Sequence, residues 1–437
     1  MSLTNVSYSM ITGTPVNVLD YGADPTNTSD STAAIVAATT YANANNKSVY
    51  FPAGSYKYVP TAPLECSSFI GESAESTAIY VNCASYSGVV FRNTGGLWAN
   101  LTIRETNLIK TSGILYQVSA ATALNALGGA ASFTAYAKLS RVWVFGGQYA
   151  LDIGNMFTCE FDHCRFNQAD TGVNCTPLVA GGGYANTLNF ISCEIADNNR
   201  NCYFNPAGGP ALAVTFTNGS IERALTTTST FSNCTGISFY DVYLEQTVAV
   251  SPITIISASA YCKFVTSGSN CDLTIGTNAN AVIEGWNSGT NHLLGSDGTN
   301  SVVLQNCAFP STGNALIYNW ATITLDNTSY SGTFYASKQF LAGIAPYQTF
   351  SGSFATVASA STLTVTSSVT FVSGTTTISS INVPTALVAY GGQITLIPTG
   401  GWATNTAGNI ALSSTAIVNK ALTLFWDPAN TKWYPSY

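Results

Sequence analysis

Short runs in which apolar residues alternate with polar ones recur along most of this chain, each beginning near an aromatic residue or a leucine. Aligned on that residue they read LSRVWVF (139–145), FDHCRFN (161–167), FISCEIA (190–196), FTNGSIE (216–222), FYDVYLE (239–245) and LQNCAFP (304–310). A period of two marks a strand with one buried face. In this register Val144, Phe166, Ile195, Ile221, Leu244 and Phe309 form one column. Val142, Cys164, Cys193, Gly219, Val242 and Cys307 form another, two positions earlier. The first four steps of the first column are 22, 29, 26 and 23 residues, and the last, of 65, has room for about three coils. Repeats of this length on period-two strands predict a solenoid in which each coil touches only its neighbours. Both columns are small or apolar, so they are expected inside, with the cysteines as packing.

Three stretches depart from the repeat. Residues 16–58 read VNVLDYGADPTNTSDSTAAIVAATTYANANNKSVYFPAGSYKY, a strand, a polar loop, a helix and a further strand. From Thr32 to Asn46 the Ala, Ile, Val and Tyr residues recur at helical spacing, and Asp30 stands where an N-cap is expected. Such a helix would cover the open end of a strand stack, whose unpaired edge otherwise invites aggregation. Between Trp98 and Leu139 the period breaks, and the small residues at 119–123 with the pair Gly128 and Gly129 predict an inserted surface loop. Beyond residue 346 the pattern becomes Ser/Thr/Val alternation with Gly and Pro turns, which predicts antiparallel strands. The expected organisation is an amino-terminal segment at 1–15, a solenoid body at 16–345 and a β-rich module at 346–437.

The elements GAD (22–24), SDSTAAI (29–35) and VYFPAGSYK (49–57) resemble the amino-terminal signature of the pectate-lyase and polygalacturonase-like β-helix superfamily, common in phage tailspikes. The match spans roughly a tenth of the chain and speaks to fold, not to reaction. It implies an all-β, right-handed parallel β-helix with a short amino-terminal capping helix and a carboxy-terminal antiparallel β module. That last module resembles those that end phage tailspikes and fibres and hold them as trimers. The resemblance thus implies a homotrimer on the virion tail, with phage tail or baseplate proteins as neighbours. Its substrate would be a bacterial capsular polysaccharide or a lipopolysaccharide O-antigen. With only about fifteen residues ahead of the signature, either attachment through a short peptide or another tail protein is expected, or the sequence is a piece of a longer chain.

Composition sharpens this picture. Only 8% of residues are charged against 46% hydrophobic, so the polar surface must come from hydroxyls and amides, which suits stacked strands. A net charge of -7 speaks against a nucleic-acid partner, which calls for a basic patch, and gives no long-range attraction for acidic glycans. No stretch of eighteen apolar residues and no basic-then-apolar leader occurs, so a soluble chain without a membrane span is expected. Eleven cysteines, an odd number widely spread, are read as free buried thiols suited to a reducing cytoplasm. Cys159 and Cys164 lack metal-ligand spacing, with only His163 nearby, and neither metal nor cofactor is expected.

Alternation places the remaining strand residues outside. One outer column holds Trp143, Arg165, Glu194, Ser220 and Tyr243, and the next holds Phe145, Asn167, Ala196, Glu222 and Glu245, with Asp241 two positions before Tyr243. In a chain with 21 carboxylates, Glu194, Glu222, Asp241 and Glu245 on three consecutive coils mark a candidate catalytic cluster. Glycoside hydrolysis needs two carboxyls, one protonated to assist the leaving group and one ionised to attack or to activate water. Glu222 and Glu245 on adjacent coils would stand near the roughly 5 Å of retaining enzymes, and the diagonal pair Glu194 and Glu222 near about 8 Å, in the inverting range. Both outcomes stay open.

Trp143 and Tyr243 would stack on sugar rings, with Arg165 and Arg223 as further binding residues. Trp143 fits the core equally well. The competing reading is a solvated face in which the arginines pair with glutamates for solubility alone. His163 and His292 are read as surface residues, and Asp20, Asp24 and Asp30 as loop and cap residues. Three functions follow for test: a tailspike depolymerase of glycoside-hydrolase type, a non-catalytic receptor-binding fibre protein, and a pectate-lyase-like eliminase. The eliminase needs a basic residue beside an acidic sugar, and often calcium, and the sparse Lys and Arg of the body weigh against it.

Overall fold

The computed structural model describes residues 13–436 except 109, 119–135, 155–156, 176–184, 206–210, 246–252, 257–260, 266–267, 271–272, 277–278, 289–292, 296–299, 310–314, 318–319, 327–328, 331–332, 336–355, 366–368 and 384–391. The predicted inserted loop and His292 lie outside the described residues. The chain divides into two compact units, Met1–Ala345 and Pro346–Tyr437.

The first unit is a right-handed parallel β-helix. Its strands pair in the predicted register: Val144 lies opposite Phe166, Ile195 opposite Ile221, and Ile221 opposite Leu244, all buried. The long step after Leu244 is divided by Ser269 and Ser288, which pair in turn on the following coils. Trp98 lies directly opposite Leu139, so the whole irregular interval between them is a single coil step. Each coil runs along a first, bent sheet and then along a second sheet of twelve strands from Leu64–Cys66 to Thr333–Tyr335.

The seven-residue runs are not single flat strands. The first bends within one strand, Ala137–Phe145, at Arg141, and the others are two short strands joined by a bend at His163, Ser192, Asn218, Asp241 or Asn306, all with φ between 51° and 53°. A non-glycine residue there costs about 1–3 kcal/mol. Stacking offsets the cost: the bend amides of His163, Ser192, Asn218 and Asp241 donate to the carbonyls of Ile191, Thr217, Tyr240 and Val265 on the next coil at 2.8–3.0 Å. The bend also shifts the alternation, so that Leu139 and Val142, three apart, are both buried. Inside, Phe161, Phe190, Phe216, Phe239 and Phe264 stack with ring centroids 4.5, 4.6, 5.1 and 4.7 Å apart, matching the coil rise of about 4.8 Å.

The capping helix runs Thr32–Ala44 and buries Ala34, Ile35, Ala38, Thr39 and Ala42 against the first coils. Its N-cap is Ser31, not Asp30, yet Asp30 still holds the helix start by accepting from the Thr32 amide at 2.9 Å. Asp24 accepts from Thr26, Thr28 and Ser29, which holds its carboxyl below the usual range. The helix is too short to cross a membrane, and no other helix among the described residues is long and apolar enough.

In the second unit a five-stranded sheet covers a core that includes Trp402 and Trp433. The sheet is mixed. Thr356–Ala358, Val369–Ser373 and Gly392–Pro398 pair in parallel, and only the strands that follow, Leu422–Asp427 and Lys432–Pro435, pair antiparallel. Ser/Thr/Val alternation has the same period in both arrangements, so the pattern does not carry strand direction.

All ten described cysteines are buried. Burial pushes the Cys66 thiol up to about 11 and those of Cys83 and Cys262 to about 12. The native state therefore holds these protons more tightly than the unfolded chain, and stability falls as pH rises above the ordinary thiol value of 9.0. Under reducing conditions the melting temperature is expected to change little up to that pH and to drop steadily beyond it; a curve still flat at pH 11 would contradict this burial.

Candidate active site on the bent sheet

A second bend follows the short outer strands, at Gln168, Asp197 and Arg223, with φ of 61°, 58° and 50°. The Asp197 amide donates to the Glu222 carbonyl at 3.3 Å, so these bends also stack coil on coil. Arg223 consequently lies over Asp197. Its Nε donates to Oδ1 at 2.8 Å and its Nη2 to Oδ2 at 3.1 Å, a bidentate pair. The remaining nitrogen, Nη1, donates to Glu222 Oε2 and faces Glu245 Oε2 at 3.6 Å. Carboxylates from three successive coils thus converge on one guanidinium. Asp197 holds the Arg223 charge firmly, raising its pKa above the ordinary arginine value. Tyr243, 45% exposed, stands beside the group, and its phenol is pushed up by partial burial and by Glu245 and Glu222, against Arg223.

The other sequence candidates fall elsewhere on the wall. Glu194 accepts from Asn167 Nδ2 at 2.6 Å and pairs with Arg165 Nε at 3.3 Å, while the Arg165 guanidinium covers the Trp143 ring at 4.4 Å. Trp143 is therefore an outer residue, and Glu194 belongs to its own group beside the Arg223 convergence. Asp241 is exposed but sits in the first bend. The flat alternation that put it on one face with Tyr243 does not hold across that bend. Asn167 and Ala196, expected outside, are buried. The chain turns inward at the second bend, and Asn167 Oδ1 accepts from the Ala196 amide at 3.0 Å.

Several residues of the wall escaped the sequence reading. Asp197 follows directly on an aligned strand, as Arg223 does, so extending the alignment by one residue would have paired it with that already expected arginine. Lys110, far away in sequence, donates to the Asp197 carbonyl at 3.5 Å and to Asn199 Oδ1 at 3.4 Å, and Asn199 Nδ2 donates to Asp170 at 2.9 Å. Burial holds the Lys110 ammonium below its usual pKa, opposed by Asp170 and Asp197. Asn201, wholly buried, donates to the Glu222 carbonyl at 2.8 Å and fixes the strand end that carries the glutamate. Around the corner, the second sheet carries a polar ladder. Arg92 donates to Glu65 and Gln117, and Gln117 and Asn174 donate to the two oxygens of Asp152 at 2.6 Å. Burial raises the Asp152 carboxyl above its usual range, opposed by Gln117, Asn174 and Arg92.

Residues 15–238 match the model of the rhamnogalacturonase A/epimerase, pectate lyase-like family. The chain belongs to that family. The match takes in the capping helix and every coil from the first to the one bearing Arg223, and agrees with the parallel β-helix built above. Among solved structures the chain is similar to ORF18 of Geobacillus virus E2, at 15% identity over 75% of this chain and 62% of that one, with a TM-score of 0.45. It therefore spans less than two thirds of that protein. It is also similar to bacteriophage CBA120 tailspike protein 3, at 11% identity over 97% of this chain and 69% of that one, with a TM-score of 0.49. The Dettilon tailspike protein gp208 is similar at 11% identity over 74% and 68%, with a TM-score of 0.44. At these values no activity carries over from them to this chain. No curated protein matches the sequence.

Proposed function

We propose that this family member is a phage tailspike depolymerase that binds and hydrolyses a bacterial surface polysaccharide, either capsule or lipopolysaccharide O-antigen. One observation carries the reading: Glu222 and Glu245, on adjacent coils, share Nη1 of Arg223 beside the exposed ring of Tyr243. Glu245 makes the longer contact and is assigned the acid, giving its proton to the leaving glycosidic oxygen. Glu222, bonded to Arg223, is the ionised partner that attacks the anomeric carbon or takes a proton from the attacking water. Tyr243, and the Trp143 face with Arg165, give the sugar its stacking surface. Asp197 keeps Arg223 in place as glycan enters.

The amino-terminal motif and the hydroxyl-rich final module, which resemble those of tailspikes, support a place on the virion tail. Exposed Leu412, Ile417, Val418, Phe425 and Tyr434 on that module support self-association as a homotrimer. A second reading, a receptor-binding protein that holds glycan without cutting it, is favoured by the engagement of all three guanidinium nitrogens with carboxylates. Incubation with purified capsule or lipopolysaccharide tests both. Newly formed reducing ends are expected. Binding without new ends would favour the receptor reading, and an unsaturated product absorbing in the near ultraviolet would make the protein an eliminase.

A further inference from the structure

The outer columns that carry Tyr243 and Glu245 extend back to the first coils, and their chemistry changes on the way. Lys57, Tyr80, Arg104 and Phe145 lie opposite one another in turn on successive coils. The residues just before them, Tyr56, Ile79, Ile103 and Val144, are wholly buried, so the column itself faces outward. Two positions before Phe145 stands Trp143, followed on the next coil by Arg165. Lys57, Tyr80, Arg104, Trp143 and Phe145 all keep part of their surface in solvent, and the Arg165 side chain is 44% exposed. Cations thus alternate with aromatic rings on one outward stretch of the wall.

The two ends of the wall differ in charge. Around Arg165 and Arg223 the carboxylates Glu194, Asp197, Glu222 and Glu245 are in excess. At the other end, among the described residues, no carboxylate comes within ion-pair distance of Lys57 or Arg104. Asp30, opposite Lys57 in register, accepts instead from the amide and hydroxyl of Thr32. Glu105, next to Arg104, is wholly buried. The Arg104 guanidinium rests 5.6 Å from the centroid of the Phe145 ring, and keeps its fork of N–H donors for a partner arriving on the wall. Lys57 and Arg104 are two coil steps apart, about 9.5 Å, with Tyr80 between them. A sugar ring stacked on Tyr80 or Phe145 brings its substituents to these cations. A chain with a net charge of -7 offers an anionic glycan no attraction at long range, so only local cations of this kind can hold one.

We infer that Lys57, Tyr80, Arg104 and Phe145 form a subsite for a carboxylate-bearing sugar of the bound glycan. The inference rests on the glycan-binding reading of the wall and adds the charge of one of its sugars. Thr102, Trp143, Arg165, Glu194 and Ser220 lie opposite one another in turn, so the strand of Arg104 stands four coil steps, about 19 Å, from that of Glu222. The charged sugar is therefore held well away from the carboxylates at Arg223. Binding is measured on the full chain carrying Glu222→Gln and Glu245→Gln, so that cleavage plays no part. The probes are cellohexaose and hexaglucuronate of the same linkage, which differ only in a carboxylate for each hydroxymethyl group. Hexaglucuronate is expected to bind roughly tenfold tighter at low ionic strength, a preference that shrinks in about 0.5 M salt. Arg104→Gln with Lys57→Gln is expected to remove the preference and to leave cellohexaose binding unchanged, whereas Arg104→Lys, which keeps the charge but not the planar fork, retains part of it. No binding of hexaglucuronate, binding equal to that of cellohexaose, or an unchanged preference in a folded Lys57→Gln, Arg104→Gln protein would overturn the subsite. Failure of the wild-type protein to cleave any glycan would leave this result untouched and count against the depolymerase reading alone.

Discussion

Glu245→Gln is expected to slow the formation of reducing ends by about 10²–10⁴-fold, the usual contribution of a positioned general acid. Gln keeps the shape of the side chain and removes only the proton that the leaving oxygen requires. Arg223 retains Asp197 and Glu222, so the wall should stay folded and glycan binding nearly unchanged. The loss should therefore fall on kcat, not on KM. Glu222→Gln should be equally damaging, because its partner role needs a negative charge. Asp241→Asn, in the exposed first bend, should stay within a few-fold of the native rate. Substrate depletion curves for the three variants at equal concentration decide the matter. Near-native rates in both glutamate variants would move the chemistry away from Arg223.

Phe216→Ala is expected to lower the unfolding free energy by about 3–5 kcal/mol, in the upper range for a buried side chain cut to a methyl group. Phe216 stacks between Phe190 and Phe239 at 4.6 and 5.1 Å and meets the edges of Phe204 and Phe231. In a solenoid each coil is held by its two neighbours alone, so emptying one position weakens two interfaces at once. Val242→Ala, on the neighbouring inner column, should cost less, in proportion to the smaller volume removed. Denaturant unfolding monitored by tryptophan fluorescence and by circular dichroism measures both. A cost below about 1 kcal/mol for Phe216→Ala would mean that the phenylalanine column is not a packed stack.

The register of the coils was legible because strands repeat with period two and each inner column tolerates only apolar or small residues. Ile195, Ile221 and Leu244 needed no further information to be set side by side. The bends were not legible. Their positions hold Arg141, His163, Ser192, Asn218 and Asp241, and residues so varied give no common signal for a left-handed backbone; what stabilises it is the hydrogen bond to the next coil. That gap explains the misplacement of Asp241 and the unexpected burial of Asn167 and Ala196. It also explains why Asp197 was overlooked, since the bend that brings it under Arg223 lies one residue past the aligned run. The residues on the second sheet, Asp152 and Asn174, were missed for another reason. Their strands are short and mostly buried, and Thr171 to Cys175 shows no alternation at all. The direction of the strands in the final module was hidden because alternation reads the same either way.

A structure of the Glu222→Gln, Glu245→Gln protein with a bound oligosaccharide of its host's surface polysaccharide tests the central claim most directly. The account predicts a glycosidic oxygen within hydrogen-bond reach of residue 245, a sugar ring against Tyr243, and Arg223 still paired with Asp197. Sugar bound on another face, or residues 222 and 245 turned away from each other, would contradict it.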